Sequence, residues 1–159
     1  MGRSRGAERY ENQGENGSNR KTGVEIMKDK TEVATAVPYY PEKDRFLMAR
    51  RTENTEIHPE KWNFPGGKIE EETPRNAVLR ELKEETNLTG EILRSGESFT
   101  LNTGNGKFEI YPFLIKIDSE PELNHEHTEY RWIRPGELDE LETVKGLKKN
   151  LGHVGVLDG

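Results

Sequence analysis

Phe64-Pro65-Gly66-Gly67-Lys68-Ile69-Glu70-Glu71-Glu72-Thr73-Pro74, followed by Arg80-Glu81-Leu82-Lys83-Glu84-Glu85-Thr86-Asn87-Leu88, is the stretch around which the rest of the chain is organised. Thr73 is a good N-cap, Pro74 suits the first helical position, and residues 75–88 are rich in Ala, Leu, Glu, Lys and Arg, so a helix is predicted from Thr73 onward. Asn87 stands where a left-handed closing residue belongs. At about 100° per residue, Val78, Leu79, Leu82 and Thr86 form one arc. Glu81, Glu84 and Glu85 form the arc beside it, at the border of the buried stripe. Glu81 and Glu85 are four apart, a spacing at which like charges cost an isolated helix roughly 0.2–0.5 kcal/mol.

A hard divalent cation gives that placement a reason, because Mg²⁺ and Mn²⁺ take oxygen ligands and are held by a few carboxylates. The competing reading is a solvated acidic helix face. The glycines before the helix favour the cation: Gly66-Gly67 permits a tight loop whose backbone can approach a metal or a phosphate closely.

Outward from this block, residues 32–40 read as a strand broken by Pro38 and residues 45–50 as a second strand. Downstream come a strand around Glu97 to Asn102, a turn at 103–106, a longer strand at 107–117 and a short one at Tyr130 to Ile133. Leu138 and Leu141 share a face, and Val144, Leu147 and Leu151 mark a final helix ending near Gly152. Strands and helices mix without regular alternation, which predicts an α+β domain with helices packed on a mixed sheet.

Composition bounds the rest. The chain has 159 residues, a net charge of −6 and no cysteine, which excludes disulfides, thiolate zinc sites and a cysteine nucleophile. Residues 1–26 contain only Met1, Ala7, Tyr10, Val24 and Ile26 as hydrophobic residues. This segment is expected to be a disordered tail preceding a domain at 27–159, with Met27 a second candidate start. Residues 32–159 carry 17 Lys or Arg against 25 Asp or Glu, a poor basis for general nucleic-acid binding. No apolar run approaches the roughly 20 residues of a membrane span. A soluble, cytoplasmic chain, monomeric or homodimeric, is the expectation.

The spacing from Gly66 through Glu72 and Arg80-Glu81-Leu82 to Glu84-Glu85 and Leu88 resembles the Nudix box, a loop and helix of hydrolases that cut nucleoside diphosphates linked to another moiety. Arg50-Arg51-Thr52 and Lys61 to Glu70 are similar to the MutT type of that family. Asn87 replaces a usual glycine, and the loop is one residue short of the common double-glycine form, so either Gly66 or Gly67 is the counterpart of the motif glycine.

The resemblance implies a Nudix-type α/β/α sandwich and Mg²⁺-dependent nucleotide pyrophosphohydrolysis, with Mn²⁺ as a possible substitute. The expected reaction takes a (d)NTP or modified NTP to its monophosphate and pyrophosphate. Diadenosine polyphosphate or ADP-ribose hydrolysis is the alternative, and a catalytically silent nucleotide-binding module an alternative of another class. By the same resemblance Glu81, Glu84 and Glu85, with the backbone of Gly66, hold the metal, and Glu81 or Glu85 also orients or deprotonates the water. Arg80 braces the loop by pairing with Glu72 or another loop carboxylate. Arg50, Arg51, Gly67 and Lys68 are candidates for substrate phosphates.

His125-Glu126-His127 precedes Tyr130-Arg131-Trp132, similar to several Nudix subgroups in which a glutamate of this loop reaches the metal cluster or the water. Glu126 is the candidate, ahead of Glu129. Two histidines and two glutamates within five residues could suggest zinc, but the chain offers no clear further ligand cluster. Trp62, Phe64, Tyr130 and Trp132 are expected in the core rather than stacked on a base.

Overall fold

The computed structural model describes residues 30–55 and 58–156; the tail expected at 1–26 lies outside them. The order of elements is β1 (Thr31–Tyr40), β2 (Arg45–Arg51), β3 (Trp62–Asn63), β4 (Gly66–Lys68), α1 (Pro74–Thr86), β5 (Glu91–Ser95), β6 (Phe99–Thr103), β7 (Gly106–Lys116), β8 (His127–Ile133), a 3₁₀ turn (Pro135–Glu140) and α2 (Leu147–His153). β1 lies at the centre of a mixed sheet, parallel to β7 over nine residue pairs and antiparallel to β2 and β4. β5 and β6 pair with β7, and β8 and β3 with β2.

Alternation along the central strands gives the sheet two apolar faces. Ala34, Ala36, Leu47, Phe113, Ile115 and Ile117 pack against Ala77, Val78 and Leu82 of α1. On the opposite face Val37, Phe46, Met48, Trp62 and Phe64 pack against Leu138 of the 3₁₀ turn and Leu147 and Leu151 of α2. This is an α+β sandwich with a helix layer on each side of a mixed sheet, and it places Trp62 and Phe64 in the core as expected. Tyr130 departs from expectation: it is exposed, and its hydroxyl donates to Glu120 at 3.1 Å.

Pro38 does not break β1. The carbonyl of Tyr39 accepts from Ile117 on the β7 side, so the nitrogen of Pro38 points to the other side. There the pairing with β4 has ended at Thr35 and that with β2 begins only at Tyr39. A missing N–H at that point removes no ladder bond.

The glycine segment also differs from the tight loop expected. Gly66–Lys68 is a strand paired with Val33–Thr35, and Gly66 lies so close to β1 that a Cβ there would sit 2.5 Å from the Ala34 carbonyl oxygen. Close approach, not a turn, is what requires glycine at that position.

α1 forms as its sequence indicates. Thr73 Oγ1 accepts from the Asn76 N–H at 3.1 Å, and Asn87, at φ 61°, closes the helix with its N–H on the Lys83 carbonyl. Replacing Thr73 by Ala should lower stability by about 1 kcal/mol. Asn87→Gly should stay within about 0.5 kcal/mol, since lost strain offsets the lost bond from Asn87 Nδ2 to Glu122 Oε1, 2.9 Å long. Asn87→Val should cost at least about 1 kcal/mol. Urea unfolding midpoints at constant slope check all three.

Candidate active site

The buried side of α1 is Ala77, Val78, Glu81, Leu82, Glu85 and Thr86. Glu81 and Glu85 thus lie within the buried stripe rather than at its border, at 3% and 1% exposure. Glu84 is the outward member of the three, with its side chain 47% exposed. The glycine strand β4 meets the helix here: the Gly66 N–H faces Glu85 Oε1 at 3.4 Å.

Arg80 ties the site together. Its Nε donates to both carboxylate oxygens of Glu72, at 3.1 and 3.0 Å. One terminal nitrogen reaches Glu81 at 3.0 Å and Glu84 at 3.4 Å, and the other donates to the Lys68 carbonyl at 3.2 Å. Partial burial works against its charge, but the bond to Glu72 and the charges of Glu81, Glu72 and Glu84 outweigh it, and its pKa is raised. Glycine strand, following loop and helix are therefore joined through one guanidinium.

The last carbonyls of α1, which a helix end leaves without intrahelical partners, are met by the loop after β7. Glu122 N–H donates to the Thr86 carbonyl at 2.8 Å and Asn124 N–H to the Glu85 carbonyl at 3.2 Å. That docking carries the next residues onto the helix carboxylates. Ligand atoms of Glu85, Glu126 and His127 all lie within 4.8 Å of one another, and His127 Nε2 is 3.9 Å from Glu85 Oε1. Glu126 therefore comes to Glu85 of the helix, whereas Glu129 pairs with Arg50 at 3.0 Å.

His127, weighed in the sequence only as a zinc ligand and set aside, is the residue whose place beside Glu85 the sequence did not show. β8 pairs Trp132 with Leu47 and Tyr130 with Ala49, all in register, but then Glu129 with Arg50 and His127 with Arg51, skipping Thr128. The bulge turns His127 to the α1 face, where strict alternation would have put Thr128. A histidine beginning a strand beside a carboxylate helix was the available signal, but the skip that aims it is invisible in composition. Of the two local histidines, His127 is the one that joins Glu85 of α1 and Glu126 in this group.

The arginine pair is divided. Arg50 is paired in register with Trp62 of β3, a residue of the α2-side core, so it projects to that face. There Arg50 Nε donates to the Glu60 carbonyl at 3.1 Å and the guanidinium pairs with Glu129. Arg51 shares the face of His127 and donates to Thr55 Oγ1 at 3.0 Å. Near it, His58 is held below the ordinary imidazole value by burial and then by the charges of Arg51 and Lys61. Gly67 is buried in register with Ala34, and Lys68 is half-buried at the end of β4, in register with Val33.

The donor set is suited to a hard divalent cation: four carboxylates on one helix and one loop, two of them buried, with one guanidinium as the cation shown against the helix glutamates. The chain matches the NUDIX domain over residues 30–152 and belongs to that family. An RNA pyrophosphohydrolase of Sulfurovum sp. (strain NBC37-1) is 34% identical over 119 residues, which cover 62% of this chain and 72% of that protein. The nucleoside triphosphatase NudI of Escherichia coli O17:K52:H18 is 28% identical over 126 residues, covering 70% and 89%. Among solved structures, the MutT protein from Methanosarcina mazei Go1 superposes with a TM-score of 0.69 at 27% identity, covering 76% of this chain and 88% of that one. The protein is a MutT-like Nudix hydrolase, acting on phosphoric anhydride bonds. No helix among the described residues is long and apolar enough to cross a membrane.

Removing Arg80 leaves the buried Glu81 without its 3.0 Å counter-charge. Arg80→Ala should therefore lower the unfolding free energy by about 2 kcal/mol. Arg80→Lys, which keeps the charge but loses the fork to Glu72, should fall between it and the parent. Chemical denaturation in metal-free buffer checks both.

Proposed function

We propose that this chain is a Mg²⁺-dependent nucleotide pyrophosphohydrolase that takes the 5′-triphosphate of a (d)NTP or modified NTP to a monophosphate and pyrophosphate, with Mn²⁺ able to replace Mg²⁺. The observation that carries the reading is the burial of Glu81 and Glu85 on successive turns of α1 beside the Gly66 N–H, with Glu84 at the exposed rim. Burying a carboxylate costs several kcal/mol unless it is compensated, and a resident cation compensates more than one.

Glu81, Glu84 and Glu85, with the backbone of Gly66, would hold the ion. When bound, it neutralises charge on the phosphate oxygens and makes water more acidic. Glu126, brought to Glu85 by the docked loop, orients the attacking water and accepts its proton, with Glu81 or Glu85 the other candidates for that role. Water adds to a phosphorus of the α–β anhydride, the P–O bond to the leaving group breaks, and pyrophosphate departs. Arg51 and Lys68 serve the substrate phosphates along with the backbone at Gly67. Arg80 and Glu72 fix the loop against the helix so that the carboxylates keep their places. Arg50, turned to the other face, is the weakest of the phosphate candidates.

The name of the Sulfurovum relative, an RNA pyrophosphohydrolase at 34% identity, favours a second reading in which the triphosphate is carried by an RNA 5′ end. The acidic surplus of residues 32–159 supports the mononucleotide instead. A panel of dGTP, 8-oxo-dGTP, 5′-triphosphorylated RNA, diadenosine tetraphosphate and ADP-ribose, run with Mg²⁺ and with Mn²⁺, separates these. Pyrophosphate from the mononucleotides is the expected result. Faster release from RNA would transfer the proposal to that substrate, and ATP plus AMP from diadenosine tetraphosphate would replace it. Glu84→Gln and Glu85→Gln should each lower kcat by about 10²-fold or more, corresponding to several kcal/mol of lost transition-state stabilisation. Unchanged metal-stimulated turnover in both would remove the metal assignment.

A further inference from the structure

We infer that the His127 imidazole is itself a ligand of the catalytic cation, and that this nitrogen tilts the site towards Mn²⁺ over Mg²⁺. The inference rests on the reading above only in requiring that a cation bind beside Glu85. Three features of the structure lead to it. His127 Nε2 stands 3.9 Å from Glu85 Oε1, and one ligand atom from each of Glu85, Glu126 and His127 falls within 4.8 Å of the others. An octahedral ion with bonds near 2.1 Å sets its ligands about 3 Å apart when adjacent and about 4.2 Å when opposite, so small side-chain movements close the trio around one ion. The side chain is 3% exposed, buried beside Glu85 and Glu126. And the bulge at Thr128 is what gives His127 this aim, in keeping with the use of bulges beside active sites to redirect a side chain.

The consequence follows from donor chemistry. A shell of carboxylate and carbonyl oxygens suits Mg²⁺ and Mn²⁺ alike, whereas imidazole is a good ligand for transition metals and a poor one for Mg²⁺. Glu85 links α1 to β8 through one oxygen: the Gly66 N–H, at 3.4 Å, and His127 Nε2, at 3.9 Å, both face its Oε1.

The test uses the full chain, stripped of metal and without nucleotide, loaded with less than one equivalent of Mn²⁺. Pulsed electron paramagnetic resonance should show a histidine nitrogen coupled to the ion, and growth on ¹⁵N-histidine should change the modulation accordingly. That measurement needs no variant. The coupling should persist in His125→Gln and vanish in His127→Gln. In the latter, Mn²⁺ affinity should fall at least about tenfold while Mg²⁺ affinity, measured by competition, changes less than about threefold. Mn²⁺ bound to the unmodified chain without histidine coupling, or coupling retained in His127→Gln, overturns this inference and leaves the proposed activity standing. No Mn²⁺ binding at all overturns both.

Discussion

Glu81 and Glu85 are carboxylates on successive turns of one helix, and both are buried against a sheet. An unpaired charge in that position costs several kcal/mol, and two of like sign aggravate each other. Much of the surrounding architecture answers this constraint. β4 is built of glycines where it faces β1, so the strand lies close and its amide is offered to Glu85. Arg80 leaves the helix surface to reach Glu81 and is itself fixed by both oxygens of Glu72. The loop after β7 donates its N–H groups to the final carbonyls of α1 and so delivers Glu126 and His127 to the same place. A fold assembled around apolar contacts alone would need none of these.

The same constraint gives the acidic composition a local meaning. Arg80 is half engaged by Glu72, so it neutralises the helix carboxylates only in part, and Glu84 is reached at the longer distance of 3.4 Å. A site left short of positive charge in a low-dielectric setting attracts a divalent cation. Burial on one side and exposure of Glu84 on the other also leave a direction from which a phosphate chain can approach.

Much of this was legible in the sequence, for reasons that differ by element. α1 was readable from end to end because Thr73, Pro74 and Asn87 each act through local geometry. The long strands showed themselves by alternation. β5 did not: Glu91-Ile92-Leu93-Arg94-Ser95 is an almost wholly exposed strand with no buried face to impose a pattern. β3 and β4, two and three residues long, are shorter than any period that could reveal them. The helix carboxylates followed from spacing, and the resemblance to the Nudix box pointed Arg80 to Glu72 or another loop carboxylate. The depth of Glu81 and Glu85 did not, because it depends on how α1 packs on the sheet, with the Gly66 N–H turned to Glu85.

The arginine pair and His127 share one lesson about strands. Adjacent residues of a regular strand face opposite ways, so Arg50-Arg51 cannot act as a doublet at the end of β2. One guanidinium serves the α2 side, clamped between Glu60 and Glu129, and the other serves the α1 side. In β8 the same rule would have turned His127 away from Glu85, and the bulge at Thr128 reverses it. The paired register of β2 and β8 therefore brings Arg51 and His127, one from each strand, to the same end of the sheet. Placing Arg51 and His127 on one face at that end of the sheet needs one unbroken alternation and one broken one. A one-residue change in the register of β8 would undo the site while leaving the helix and its glutamates intact.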